Sequence, residues 1–216
     1  SPAPDVTEIV CRLDGAWRGH QAGQFAFVGL ERFEGSHPFT IASADHGDRS
    51  LTFQIKALGD YTRQLASRVA VGQAVTIEGP YGRFVLGRQD RKARQIWIAG
   101  GIGVTPFLAW LDALRADPAA APAVELHYST RGAAHDPFVE RLRSLCAELP
   151  SVSLHIHDRA TVDDLTPEHL AATATDGRRA EVWFCGPRGF GDQLKAGLAR
   201  VWGRRLSFRR EAFEMR

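Results

Sequence analysis

A glycine-rich turn is the part of this chain best suited to bind a phosphate group. It follows the apolar run 95–99 and precedes the amphipathic run 106–115. Glycines let the backbone approach a pyrophosphate, and a helix that starts at Pro106 behind an N-cap Thr105 turns its amide groups towards that anion. Pro106 stands where the dinucleotide fingerprint has its third glycine. We therefore predict that a dinucleotide binds to Gly100, Gly101, Gly103, Val104, Thr105 and Pro106.

A second turn, Cys185-Gly186-Pro187, ends the last apolar run of the same half of the chain. Ligands of open α/β sheets bind at the carboxyl ends of strands, so this turn is a candidate for the nicotinamide end of the dinucleotide. A thiol there would act as a polarisable contact. The alternative is a buried cysteine before a helix-starting turn.

Ser129 and Arg131 follow the apolar run 124–128. An arginine and a hydroxyl at this strand end suit the 2′-phosphate of NADP, whereas an acidic residue would favour the ribose hydroxyls of NAD. No acidic residue occurs in the turn before Asp136. This pattern favours NADPH over NADH. The alternative is that Arg131 is a solvated surface residue that takes no part in binding.

These turns require a sheet to position them. Apolar runs at 95–99, 124–128, 152–157 and 181–185 alternate with helical patterns at 106–115, 137–148, 167–172 and 189–202, which predicts a parallel sheet wrapped by helices. The first half reads instead as short strands at 24–30, 39–43, 51–57 and 74–78, with one helix at 61–69. We predict two domains, residues 1–88 and 93–216, joined by the polar run 87–92.

Composition excludes several function classes. The net charge is only +2 and the basic residues are scattered, which argues against a nucleic-acid partner. The three cysteines are far apart, so neither a disulfide framework nor a metal site is expected. No apolar run is long enough to cross a bilayer and no signal peptide opens the sequence. The start at Ser1, without methionine, leads us to expect an excised fragment.

Six motifs occur in an order that resembles the ferredoxin–NADP reductase superfamily: His37-Pro38-Phe39-Thr40, Gly59-Asp60-Tyr61-Thr62, Gly79-Pro80-Tyr81-Gly82, the turn at 101–107, Cys185-Gly186-Pro187 and Glu211-Ala212-Phe213. More narrowly, the first two and the glycine turn resemble the dehydrogenase domain of NADPH oxidases and membrane ferric reductases. The resemblance implies an antiparallel β-barrel that binds FAD, followed by a parallel α/β domain that binds NADPH or NADH.

The resemblance also implies roles for residues of the first domain. Phe39 would lie against the flavin ring and Thr40 would hydrogen-bond near N5. Soluble members have arginine where this chain has His37, so weaker neutralisation of the flavin phosphates is expected. The remaining implied FAD contacts are Pro38, Ile55, Lys56, Gly59, Asp60, Tyr61, Thr62, Gly79, Pro80 and Tyr81.

Four residues are implied to act in the chemistry: Thr40, Cys185, Glu211 and Phe213. Phe213 would stack over the flavin face that the nicotinamide approaches, and Glu211 would relay a proton. No metal takes part.

The implied activity is hydride transfer from NAD(P)H to FAD, followed by release of single electrons. Our leading expectation is a cytoplasmic domain on the cytosolic face of a membrane protein, feeding haem in an upstream transmembrane domain. The alternative is a stand-alone soluble flavin or ferredoxin-type reductase, or the reductase component of an oxygenase. A third possibility is a non-catalytic nucleotide-sensing module.

Overall fold

The computed structural model describes residues 5–15, 17–30, 35–58, 60–161, 164–172 and 177–211. Gly59 and Phe213 therefore lie outside the described residues, as do the side chains of Asp60 and Tyr61. Contacts divide the chain into two compact units. The N-terminal unit comprises residues 1–87 and 105–113, and the C-terminal unit comprises residues 88–104 and 114–216.

The N-terminal unit is built from antiparallel sheets. Its elements are β1 (Val6–Arg12), β2 (Phe25–Gly29), β3 (His37–Thr40), β4 (Ser50–Lys56), α1 (Asp60–Arg68) and β5 (Thr76–Tyr81). One sheet pairs β1 with β4, the other has the order β3-β2-β5, and a bridge between Ile41 and Phe53 links them. Alternate residues point inwards, so that Ala26, Val28 and Phe53 are buried in one apolar core.

A parallel sheet forms the C-terminal unit. Its strands are β6 (Arg94–Gly100), β7 (Val124–Thr130), β8 (Val152–Asp158), β9 (Ala180–Cys185) and β10 (Leu206–Glu211), in the order β10-β9-β6-β7-β8. The helices of the chain's second half are α2 (Thr105–Leu114), α3 (Pro137–Ala147), α4 (Pro167–Ala172) and α5 (Arg188–Trp202). All six residues of β9 are buried, as is typical of a parallel strand covered on both faces.

Helix α2 differs from the others in where its contacts lie. The predicted second domain includes it, but by contacts α2 belongs with the N-terminal unit. The Trp110 ring stacks on Phe84 with centroids 4.9 Å apart, and Trp110 Nε1 donates a hydrogen bond of 2.8 Å to the carbonyl of Ala22. Asp112 accepts a further bond of 2.9 Å from the Ala44 amide.

The strand order creates a topological switch point between β6 and β9. From β6 the chain moves outwards through β7 and β8, and it then returns to the other side of β6 to form β9 and β10. Adjacent strands whose connections leave in opposite directions open a crevice at their carboxyl ends, where ligands of such sheets bind. Across the described parts of the chain, no helix is both long and apolar enough to span a bilayer.

Candidate functional site

Two glycine turns touch at this switch point. A Cβ atom added to Gly103 would lie 2.2 Å from the carbonyl oxygen of Cys185, and one added to Gly186 would lie 3.0 Å from the Gly100 nitrogen. At Gly100 a Cβ would lie 2.9 Å from Cδ of Pro187. Only glycines permit this backbone approach. The fold therefore brings together the two turns that the sequence predicts as dinucleotide contacts.

Gly101 faces open space. Its φ is +54°, in the left-handed region that favours glycine, and an added Cβ would meet no atom within 4 Å. Residues 101–104 form a single 3₁₀ turn that runs directly into α2. Successive backbone amides leading into a helix N-terminus beside open space fit a pyrophosphate. Helix α2 begins at Thr105, one residue earlier than we predicted. Thr105 is therefore the first residue of the helix and not the N-cap that precedes it.

Val104 and Pro106 are buried on either side of Thr105. Val104 has no exposed surface, so any contact that it makes with a ligand comes from its backbone.

Cys185 and Glu211 are neighbours across the parallel pair β9 and β10. The thiol is 3% exposed, and burial together with the nearby Glu211 carboxyl raises its pKa far above the ordinary value. The thiol therefore stays protonated at neutral pH. This state suits a polarisable contact and excludes a thiolate nucleophile.

Burial raises the pKa of Glu211 to about 7. Within the described residues, its Oε2 atom is buried without a hydrogen-bond partner. A carboxyl group that titrates near neutrality can hold a proton and release it, as the predicted relay requires.

The carboxyl end of β7 holds Ser129 and Arg131. Ser129 is 5% exposed and lies beside Gly100 in the strand register. Arg131 is exposed, and no described residue forms a hydrogen bond or an ion pair with it.

An acidic residue from another strand reaches the same turn, which the sequence analysis missed. Asp158, the last residue of β8, accepts hydrogen bonds of 2.8 Å from the amides of both Gly132 and Ala133 and one of 2.9 Å from Ala160. The amides of Ala160, Ala133 and Gly132 lower the pKa of this carboxyl, so it is ionised. The available signal was an aspartate placed directly after an apolar run.

The second candidate site is formed by residues that lie side by side on the three-stranded sheet of the N-terminal unit. Phe25 pairs with Thr40 on one side and with Tyr81 on the other. Phe27 pairs in the same way with Pro38 and Glu78. Directly opposed residues share a face of an antiparallel sheet. This face carries three aromatic rings, which we name the aromatic face: Phe25, Phe27 and Tyr81.

The rings of the aromatic face contact one another. Their centroids are 5.8 Å apart for Phe25 and Phe27 and 5.9 Å apart for Phe25 and Tyr81. Tyr81 is 39% exposed, and its hydroxyl donates a 2.5 Å hydrogen bond to Glu78, which raises the tyrosine pKa. The ring planes are inclined to one another by 42° to 72°, and this partly exposed aromatic surface beside Thr40 can contact a flavin ring.

Thr40, Pro38 and Tyr81 were predicted from the sequence as flavin contacts and lie on this face, whereas Phe25 and Phe27 were not predicted. The signal was the alternation of residues 25–27, which we interpreted only as a strand. Phe39 lies on the opposite face, packed in the core at 7% exposure. This position argues against the predicted contact between Phe39 and the flavin ring, because core side chains surround Phe39.

Other predicted FAD contacts already have roles within the unit. Ile55 is a core residue, and the Lys56 ammonium pairs with Asp5 at 3.2 Å. The Thr62 hydroxyl accepts a 2.9 Å bond from the Leu58 amide at the start of α1.

His37 and Pro80 are half-buried, in β3 and β5 respectively. Gly79 lies close to β2, since an added Cβ would come within 3.2 Å of the Ala26 Cβ.

Comparison with known proteins agrees with this geometry. Residues 5–85 match the FAD-binding domain family. Among curated proteins, the chain is 27% identical over 204 residues to the electron transfer component of anthranilate 1,2-dioxygenase from Acinetobacter baylyi, covering 89% of this chain and 59% of the relative. The chain spans about half the length of the curated relatives it matches.

Solved structures share the fold over nearly the whole chain. The flavohem-like FAD/NAD-binding domain of nitric oxide dioxygenase from Vibrio cholerae O1 biovar El Tor superposes with a TM-score of 0.75 at 22% identity, covering 96% of this chain and 92% of that one. A ferredoxin–NADP⁺ reductase from Neisseria gonorrhoeae, with bound FAD and NADP, gives a TM-score of 0.72 at 16% identity and covers 97% and 94%.

Proposed function

We propose that the chain is a member of the ferredoxin–NADP reductase family and the reductase part of an electron-transfer system, because residues 5–85 match an FAD-binding domain family and the chain shares its fold with such proteins. It accepts hydride from a nicotinamide dinucleotide and delivers single electrons to a separate acceptor. The observation that carries this proposal is the contact of Gly103 with the Cys185 backbone at the switch point, which builds a dinucleotide edge beside a buried thiol.

The nature of the acceptor is inferred from the relatives. The expected transmembrane haem partner has no support among these relatives. The alternative of an oxygenase reductase component is closer to the Acinetobacter relative, which is the electron transfer component of a dioxygenase. Another relative is a flavohemoprotein from Deinococcus radiodurans, which favours haem as a second type of acceptor. We therefore propose an oxygenase or a haem domain as the acceptor.

In the N-terminal unit, the aromatic face would hold the flavin ring and the Thr40 hydroxyl would hydrogen-bond its polar edge. When bound, FAD supplies the ability to accept two electrons as hydride and to release them one at a time. Phe25 and Tyr81 would orient the ring by stacking and exclude water from one side. The amides at the start of α1 would take the pyrophosphate without a cationic side chain.

In the C-terminal unit, the turn at 101–104 would bind the pyrophosphate of the dinucleotide. The neutral Cys185 thiol would contact the nicotinamide without reacting with it. Glu211 would hold a proton at its buried Oε2 near neutral pH.

We propose NADPH as the donor because of the charges at the end of β7. Arg131 offers an exposed guanidinium, and no described residue pairs with it. Three backbone amides already hold the Asp158 carboxylate, which reduces its repulsion of a 2′-phosphate.

The test is a visible spectrum of the purified chain after addition of FAD, followed by anaerobic reduction of ferricyanide with NADPH. We expect protein-bound flavin bands and NADPH-dependent reduction. Phe25→Ala should weaken FAD binding about tenfold, because base–ring stacking is worth ~1–3 kcal/mol. The matched control is Val10→Ala, at a strand position that is 63% exposed on another sheet. Absence of bound flavin at high FAD, together with no ferricyanide reduction, would instead favour the nucleotide-sensing module.

A further inference from the structure

Four of the chain's eight histidines form one cluster on a face of the parallel sheet, and no step of the proposed function uses them. His127 lies in β7, His155 and His157 lie in β8, which is the last strand in the sheet order, and His169 lies in α4. We name these four residues the histidine cluster. Histidine changes its charge between about pH 5 and 8, so such a cluster can respond to mild acid.

His127 and His157 are joined through their ring nitrogens. Nδ1 of His127 lies 3.0 Å from Nε2 of His157, and the two residues are buried, at 6% and 5% exposure. A hydrogen bond between two imidazoles needs one ring to donate and the other to accept. If both rings were protonated, two N–H groups and two positive charges would face each other at this distance. The pair therefore takes a second proton only if the rings move apart.

The other two histidines can place further charge beside this pair. The His155 ring stacks on His127 with the centroids 4.7 Å apart and the planes inclined by 13°. The His169 ring meets His157 edge to face, with the centroids 5.9 Å apart. Both His155 and His169 are exposed, so they exchange protons with solvent. Acidification therefore adds like charges next to each member of the buried pair.

Among the described residues, Glu125 and Arg94 are charged groups that lie beside the cluster. Glu125 Oε2 is 3.8 Å from His127 Nε2, and Arg94 of β6 also holds this carboxylate. Burial lowers the pKa of His127 below the ordinary value, and although Glu125 opposes this shift, His155 and His157 add to it. The folded chain therefore favours neutral His127, and its contribution to the free energy of unfolding falls as pH falls below the unfolded value of about 6.5.

The carboxyl end of β8 connects the cluster to the turn after β7. Asp158 follows His157 directly and accepts hydrogen bonds of 2.8 Å from the amides of Gly132 and Ala133. The backbone amides that bind Asp158 lower its pKa, so this carboxylate stays ionised in mild acid. A response of the turn to mild acid therefore comes through movement of β8 and not through titration of Asp158.

We propose that the histidine cluster is an acid-sensitive latch that joins β8 to β7 and α4. At neutral pH the hydrogen-bonded pair holds β8 in place, and Asp158 keeps the turn after β7 fixed. As the cluster gains protons, the two buried rings move apart, the carboxyl end of β8 shifts with His157, and Asp158 releases the amides of Gly132 and Ala133.

Hydrogen exchange of the Gly132 and Ala133 amides, followed by NMR, tests the proposal at about pH 5.5 and about pH 7.5. After correction for the intrinsic pH dependence of exchange, we expect both amides to exchange at least about tenfold faster at the lower pH, whereas the amides of β9 should not change. This readout does not depend on whether the turn binds a dinucleotide.

His127→Gln keeps a hydrogen-bonding group that cannot gain a charge, so both amides should exchange equally at the two pH values in this variant. Exposed His135→Gln is the matched control from the same unit and should respond as the unaltered chain does. Urea unfolding shows whether each variant is folded and gives a second measurement. From the higher to the lower pH, the change in urea midpoint should be more negative for the unaltered chain than for His127→Gln. Both chains keep Glu211, so its titration cancels in this comparison.

If His127→Gln does not fold, exposed His155→Gln replaces it, because it removes one charge from beside the pair and should reduce the response of both amides. Three results would each overturn the proposal. The first is equal exchange of Gly132 and Ala133 at both pH values in the unaltered chain. The second is an equally strong response of the β9 amides, which would indicate general unfolding. The third is a response in the folded His127 or His155 variant that matches the unaltered chain.

Discussion

Replacing Gly103 by alanine should push apart the two glycine turns that we propose as the dinucleotide edge. The new Cβ would lie 2.2 Å from the carbonyl oxygen and 2.5 Å from the carbonyl carbon of Cys185. Ordinary van der Waals contact begins at 3.4 Å, so the backbones must separate by about 1 Å. Backbone atoms cannot rotate away as the end of a flexible side chain can.

The expected cost follows from overpacking, which destabilises by about 1–3 kcal/mol and occasionally more. Gly101→Ala should lose an intermediate amount of stability. An added Cβ at this position meets no other atom, so the cost is only the backbone strain of a positive φ, about 1–2 kcal/mol. Gly189→Ala is the matched control. This residue lies in the first turn of α5, has no atom within 4 Å of an added Cβ, and should gain up to about 1 kcal/mol of helix propensity.

Urea unfolding followed by circular dichroism should therefore rank the variants, with Gly189→Ala the most stable, Gly101→Ala next and Gly103→Ala the least. A parallel titration with NADP⁺ should show the largest loss of affinity for Gly103→Ala, with FAD binding retained. If Gly103→Ala unfolds at the same urea concentration as Gly189→Ala, the two turns are not in the contact described and the reasoning fails.

Two further predictions concern charged groups. Burial raises the folded-state pKa of Glu211 to about 7, above an unfolded value of about 4.3. The native state therefore favours the neutral carboxyl, and the free energy of unfolding falls as pH rises between these values, by up to about 4 kcal/mol. Glu211→Gln should remove that loss, so its urea midpoint at pH 8 should exceed that of the unaltered chain, whereas exposed Glu148→Gln should not have this effect; equal midpoints would show that Glu211 is solvated. Arg131→Ala should raise the KM for NADPH about tenfold with little change for NADH, because only NADPH carries the phosphate. Exposed Arg143→Ala is the control, and equal effects of Arg131→Ala on both dinucleotides would remove Arg131 from the phosphate site.

The sequence predicted the main elements because their apolar patterns are strong. The sequence predicted the bounds of the largely buried β6, the fully buried β9 and the glycine turns that follow them to within one or two residues. Strands β1 and β10 were missed. Within the part of the chain that the structure describes, each pairs with a single strand, and exposed residues such as Glu8, Val10 and Arg209 interrupt their apolar patterns.

The missed site residues depend on pairing that a single sequence does not show. Alternation predicts that residues 25–27 form a strand, but only the register with β3 and β5 reveals which face is buried. The same register moves Phe39 into the core. Asp158 reaches the turn after β7 from the neighbouring strand, although it lies far from that turn in sequence.

The contact between the two glycine turns also constrains the order in which the protein can fold. The turn after β6 is made early in synthesis of this half, but its partner after β9 comes roughly eighty residues later. Strands β7 and β8 can add to the growing sheet in the meantime, since they lie on the other side of β6. Until β9 is synthesised and pairs with β6, the first turn lacks the backbone it packs against. The proposed dinucleotide site is thus completed only late in folding, because it requires a contact between residues distant in sequence.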